Sequence, residues 1–125
     1  MHVGPIIAVT DLATALQFYE QALGLDGHET PGGWVVGADD GTVIYLLPEV
    51  ADAGSASWPV ASFRVTDVRE KVQDLRSRGV PFLTADDIPF DLDDDGISVT
   101  DDLRVAWMRD PDGSILTVFQ LTDAG

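Results

Sequence analysis

The chain has 125 residues, with 22 acidic and 7 basic side chains and a formal net charge of -15. That length suits one domain with a buried core, and the charge argues against nucleic acid and anionic membranes, both of which are held by clustered Lys and Arg. Absence of cysteine excludes disulfides and thiolate chemistry, and no apolar run approaches the ~20 residues that span a bilayer; Met1 to Pro5 shows no signal-peptide pattern, so the expected location is the cytoplasm.

The first apolar stretch, Ile6 to Val9, runs into Thr10-Asp11, whose side-chain oxygens can accept free helix N–H groups. Leu12, Leu16, Tyr19 and Leu23 then recur at helical steps as one buried stripe, and Gly24 stands where a left-handed cap is needed. Strands are expected over Leu25 to Thr30, Trp34 to Val36 and Val43 to Leu47, with Asp40-Gly41 as turn. Pro48 to Ser57 is rich in Ala, Gly, Ser and acidic residues and reads as a connector. The same order follows again: a strand over Val60 to Val65, Thr66-Asp67, and a helix stripe of Val68, Val72 and Leu75 ended by Gly79. Strands are then expected over Pro81 to Thr84, Leu103 to Met108 and Ser114 to Leu121, the last pair turning at Asp112-Gly113.

The chain therefore repeats itself. Val9-Thr10-Asp11-Leu12 returns as Val65-Thr66-Asp67-Val68 at an offset of 56, and Asp40-Gly41-Thr42 as Asp112-Gly113-Ser114 at an offset of 72. The second copy is 16 residues longer, and the extra length falls between its helix and its final hairpin. The expected fold class is α+β: two tandem βαβββ modules in one domain (1–125), forming a curled mixed sheet with a cleft. Module 1 covers about 1–48, the linker 49–58, and module 2 about 59–125 with an acidic insertion at 85–101. Strand alternation turns Ile7, Val9, Ile44, Leu46, Phe63, Val65, Leu116 and Val118 toward the helices. It turns Gly4, Ile6, Ala8, Val43, Tyr45, Leu47, Val60, Ser62, Arg64, Ile115, Thr117 and Phe119 the other way, toward the cleft where a ligand belongs.

Val9-Thr10-Asp11-Leu12, the run Phe18-Tyr19-Glu20-Gln21-Ala22-Leu23-Gly24-Leu25 and the late turn Arg109-Asp110-Pro111-Asp112-Gly113-Ser114 resemble the vicinal oxygen chelate superfamily. That superfamily groups glyoxalase I, extradiol dioxygenases and bleomycin resistance proteins. The resemblance covers nearly the whole chain and implies paired βαβββ modules, a cup-shaped sheet and a homodimer; the scaffold serves many chemistries. It also implies four strand positions that hold a metal in the enzymes of the family. Counted from the repeat landmarks these are Gly4, Tyr45, Val60 and Thr117, where histidines and carboxylates would be needed. The expectation is therefore a metal-free protein with no cofactor and no catalytic residue, similar to the bleomycin resistance branch. Its partners would be a small aromatic or cationic molecule such as an antibiotic and a second copy of itself. Two alternatives stand beside it: a lyase or oxygenase with atypical or no metal ligands, in which Tyr45 would act as acid–base, and a regulatory protein with an unused cleft.

Candidate ligand contacts are Tyr45, Thr117, Trp34, Trp107, Ser62, Arg64 and Phe90. Tyr45 offers a phenol at the centre of the expected cleft, and tryptophans suit flat or cationic ligands by stacking and cation–π contact. Arg64 can pair a ligand carboxylate, although one of the many acidic neighbours is the expected partner. His2 reads as a solvent-exposed residue near the terminus and His28 as a rim residue. Asp91, Asp93, Asp95 and Asp102, with Gly96, fit the spacing of a calcium loop. Pro89, however, is incompatible with a normal incoming helix, and a strand follows. The preferred reading is a mobile acidic flap in which Ile88, Pro89 and Phe90 can close over a ligand.

Overall fold

Alternation and turn chemistry place most of the strands where they form. A computed structural model describes residues 3–31 and 33–122. The first unit contains β1 (Ile6–Ala8), α1 (Leu12–Leu16), β2 (Asp26–Thr30), β3 (Gly33–Gly37) and β4 (Val43–Leu47). β4 takes the central place, parallel to β1 and antiparallel to β3, which pairs β2, so the sheet order is β1-β4-β3-β2. The second unit contains β5 (Pro59–Arg64), α2 (Val68–Ser77), β6 (Ser98–Val99), β7 (Leu103–Arg109) and β8 (Ile115–Leu121), in the matching order β5-β8-β7-β6. The two mixed sheets are separate hydrogen-bonded units. Among the described residues no helix is long and apolar enough to cross a membrane.

Both helices start on the expected carboxylates: Asp11 accepts from the Ala13 N–H at 3.3 Å and Asp67 from the Glu70 N–H at 3.2 Å. Beyond α1 the chain does not keep regular helical winding. It widens into a π-helical turn over Gln17–Ala22, and the Leu23 N–H reaches back to the Phe18 carbonyl at 3.2 Å. One core joins the units: Ile7, Val9, Tyr19, Val36, Ile44 and Leu46 from the first pack with Val68, Val72, Leu75, Met108, Leu116 and Val118 from the second.

The turn Asp110–Ser114 clasps the two units together. Its buried Asp110 accepts a hydrogen bond from the Tyr19 hydroxyl at 2.8 Å and two more from the Asp112 and Ser114 N–H groups. Asp112 accepts from both the backbone N–H and the hydroxyl of Thr10. Gly54 of the connector, at φ +81°, lies so close that a Cβ there would stand 1.9 Å from the Asp112 carbonyl oxygen.

The second unit departs from expectation at one edge. The strand expected over Pro81 to Thr84 shrinks to a bridge between Phe82 and Met108, with the Leu83 N–H bonded to the Trp107 carbonyl. A turn closed by Asp87 on the Thr84 N–H at 2.8 Å then leads the chain off the sheet. The chain returns as β6, which pairs Arg104 and Val105 of the same strand. The insertion therefore wraps the free edge of β7, an edge that would otherwise present unpaired backbone groups.

Candidate functional site

Register assigns the faces. In the first sheet Tyr45 aligns with Ile6 and Val35, and Val35 with His28; together with Leu47 they line the face away from the core. Ile6, Tyr45 and Leu47 are 68%, 43% and 52% exposed, so this face is bare. Trp34 aligns with Leu46 and packs against the core. Its reading as a ligand wall is corrected: it fills the helix-packed side. His2 lies outside the described residues.

In the second sheet Thr117 stands between Ser62 on β5 and Trp107 on β7, and Phe119 between Arg64 and Val105. Four candidates thus share one face: Ser62, Arg64, Trp107 and Thr117. The hydroxyls of Ser62 and Thr117 are hydrogen-bonded to each other at 2.5 Å, and Thr117 is buried. Phe90, carried by the insertion, lies flat on Trp107 with ring centroids 5.4 Å apart and planes 10° from parallel. Tyr45 stands on the other sheet and does not join this group.

The four family metal positions do not fit a metal. A Cβ added at Gly4 would stand 2.3 Å from the Val43 carbonyl oxygen, which leaves no room for an imidazole. Val60 has no donor atom, the Thr117 hydroxyl is committed to Ser62, and Tyr45 offers only an exposed phenol. Among the described residues no group of three His, Asp or Glu side chains converges to hold an ion.

The acidic loop has its own counter-ion. Arg69 of α2 pairs Asp93 at 2.9 Å and also Asp95. The other Asp93 oxygen accepts from the Asp95 and Ile97 N–H groups at 2.9 and 3.0 Å. Burial opposes ionisation of Asp93, but the Ile97 N–H and Arg69 outweigh it and hold the carboxyl below its ordinary range. The calcium-loop reading of Asp91, Asp93, Asp95 and Asp102 is therefore corrected: two of the carboxylates are used by Arg69 and the backbone. Nor is the whole insertion loose. Ile97 is buried in the core. Phe90 reaches over the sheet to Trp107.

At the clasp, burial pushes the Tyr19 phenol upward, and the neighbouring Asp110 adds to the shift, so the hydroxyl keeps its proton and donates it. Burial also raises the Asp110 carboxyl, against the Tyr19 hydroxyl and the Ser114 and Asp112 N–H groups.

A cavity of about 620 Å³ opens between the units. Val3, Pro5 and the Asp40–Ile44 segment line one side, β5 a second, and Lys71 and Leu75 of α2 a third. Of the predicted contacts Ser62 and Arg64 line it, whereas Tyr45, Thr117, Trp34, Trp107 and Phe90 do not. Among the described residues Arg64 has no acidic partner, contrary to expectation, and Lys71 was not singled out by its sequence context.

The Glyoxalase/Bleomycin resistance protein/Dioxygenase superfamily matches residues 2–118. Solved structures with the same fold include TnmS3, an antibiotic binding protein from Streptomyces sp. CB03234, at 21% identity and TM-score 0.68, covering 98% of each chain. UcmS2 is 16% identical with TM-score 0.70, covering 95% of this chain and 98% of that one. A superfamily member from Sphaerobacter thermophilus DSM 20745 is 22% identical with TM-score 0.67, covering 96% of each. No curated protein matches the sequence.

Proposed function

This chain belongs to the glyoxalase/bleomycin resistance protein/dioxygenase superfamily, and from that premise we propose that it is a metal-free small-molecule-binding protein. It holds a flat aromatic or cationic compound, such as an antibiotic, on the outer face of its second sheet, where Phe90 covers Trp107. The observation that carries this reading is the donor set at Gly4, Tyr45, Val60 and Thr117, closed at Gly4 by the Val43 backbone. With no metal to polarise a substrate, the face offers stacking on Trp107 and Phe90 and one hydroxyl pair, which is binding chemistry. The charge of -15 favours capture of cations. That TnmS3 is an antibiotic binding protein agrees with this reading. The bare face of the first sheet supports the homodimer, and light scattering on purified protein should give the mass of two 13.4 kDa chains.

A panel of planar and cationic antibiotics, read by thermal shift and tryptophan fluorescence, tests the proposal. A ligand at a hundred times its Kd adds about 2.7 kcal/mol of stability, which a melting curve resolves. The reading fails if no compound moves either signal, or if the purified protein carries a stoichiometric transition metal.

A further inference from the structure

The chain has 7 basic side chains, and five of them have partners. Arg69 pairs Asp93 and Asp95, and Arg78 pairs Asp74 and the Gln21 carbonyl. Arg76 covers Phe82, Arg104 donates to the Thr100 and Leu103 carbonyls, and Arg109 donates to the Gly113 carbonyl. Arg64 and Lys71 have none among the described residues. In a chain with 22 acidic residues, two cations left unpaired are unusual company for each other, and both line the 620 Å³ cavity. They approach it from different elements, Arg64 from β5 and Lys71 from α2. The remaining charged group on its wall, Asp40, already accepts from the Thr42 N–H and hydroxyl at 3.0 and 2.7 Å. Between the charges the wall is apolar, with Leu25, Ile44, Phe63, Leu75, Met108 and Val118 among its residues.

We propose that this cavity is a second binding site, for an anionic amphiphile: one carboxylate, sulfonate or phosphate group on an apolar body. The anionic group meets the Arg64 guanidinium and the Lys71 ammonium, each of which supplies charge-assisted hydrogen bonds that it makes nowhere else. The apolar body fills the space between the units, whose volume falls in the range of small-ligand sites. The site goes beyond the Trp107–Phe90 pair: Ser62 and Arg64 stand on the same sheet face as Trp107 and also line the cavity, but neither aromatic ring does, and its ligand carries the opposite charge from the compound proposed there.

The probe is 8-anilinonaphthalene-1-sulfonate, whose fluorescence rises on entering an apolar site. Decanoate should displace it, and decylammonium, with the same tail and the opposite charge, should not. The double variant Arg64→Gln/Lys71→Gln should bind the probe about tenfold more weakly, and each single variant should lie in between. Because neither side chain makes a hydrogen bond or ion pair among the described residues, the melting temperature should stay close to the wild-type value; if the double variant does not fold, the two single variants decide. Trp107→Ala should leave probe binding unchanged, which separates failure here from failure of the aromatic site. Wild-type affinity in the cation variants would overturn the proposal, as would equal displacement by both amphiphiles or loss of probe binding in Trp107→Ala.

Discussion

The two sheets share a strand order and a hydrogen-bond pattern, yet their outer faces have different fates. On the first, Ile6, Tyr45 and Leu47 stand open to solvent; on the second, Phe90 roofs Trp107, and Ile115 and Thr117 are buried. The final turns differ in the same sense. Ala38 and Asp110 occupy equivalent places, and each donates its N–H across the turn at 3.0 Å, to Thr42 and Ser114. Only the second turn adds a buried carboxylate, and that carboxylate reaches into the first unit at Tyr19. The two units thus share one scaffold, and the second is 16 residues longer. The second unit holds the junction and carries a covered aromatic pair, while the first leaves Ile6, Tyr45 and Leu47 exposed.

The junction is where the comparison breaks most visibly. Tyr19→Ala removes a fully buried ring and leaves Asp110 Oδ2 without its donor, and should cost about 3–5 kcal/mol in urea unfolding. Tyr19→Phe keeps the ring and should cost about 1–2 kcal/mol. A loss no larger for the alanine than for the phenylalanine would mean that Tyr19 is not packed at the junction.

Acid should sharpen the contrast between the two turns. The folded Asp110 carboxyl lies above its ordinary range because burial disfavours its charge. The folded state therefore binds the Asp110 proton more readily than the unfolded state does. This contribution to stability is complete below the ordinary carboxylate value of about 3.9 and fades as pH rises through the raised one. Wild type should gain stability relative to Asp110→Asn as pH is lowered from 7 toward 4, whereas substitution of Ala38 by Asn should show no such trend. Parallel pH profiles for wild type and Asp110→Asn would remove the buried carboxylate from the account.

Phe90→Ala should have the smallest effect on stability, about 0.5–1.5 kcal/mol from the lost ring pair. It should nevertheless make tryptophan emission more open to acrylamide quenching, and adding Trp107→Phe should erase that increase. Unchanged quenching would mean that the second face is not roofed by the insertion.

The strands were largely legible because period-two alternation and Asp-Gly turns are local signals; Val43–Leu47 formed with the bounds its pattern predicts. The facing of Trp34 was not legible. Gly33-Trp34-Val35-Val36-Gly37 has consecutive apolar residues, so only the register with Leu46 decides its side. β6 has two residues and no pattern, and its pairing with β7 depends on where the insertion returns. The fates of the charges were illegible for a different reason. With 22 carboxylates in the chain, nothing in the sequence says that Arg69 takes two and Arg64 none among the described residues. The poor fit to a metal was readable as residue types, whereas the clash at Gly4 needed the neighbouring Val43 backbone.

The most direct test of metal-free binding is calorimetric titration of a planar cationic antibiotic in excess chelator, against wild type and Trp107→Ala. Saturable binding that chelator leaves intact and Trp107→Ala abolishes is the predicted result. Binding that disappears with chelator and returns with a divalent metal would contradict it.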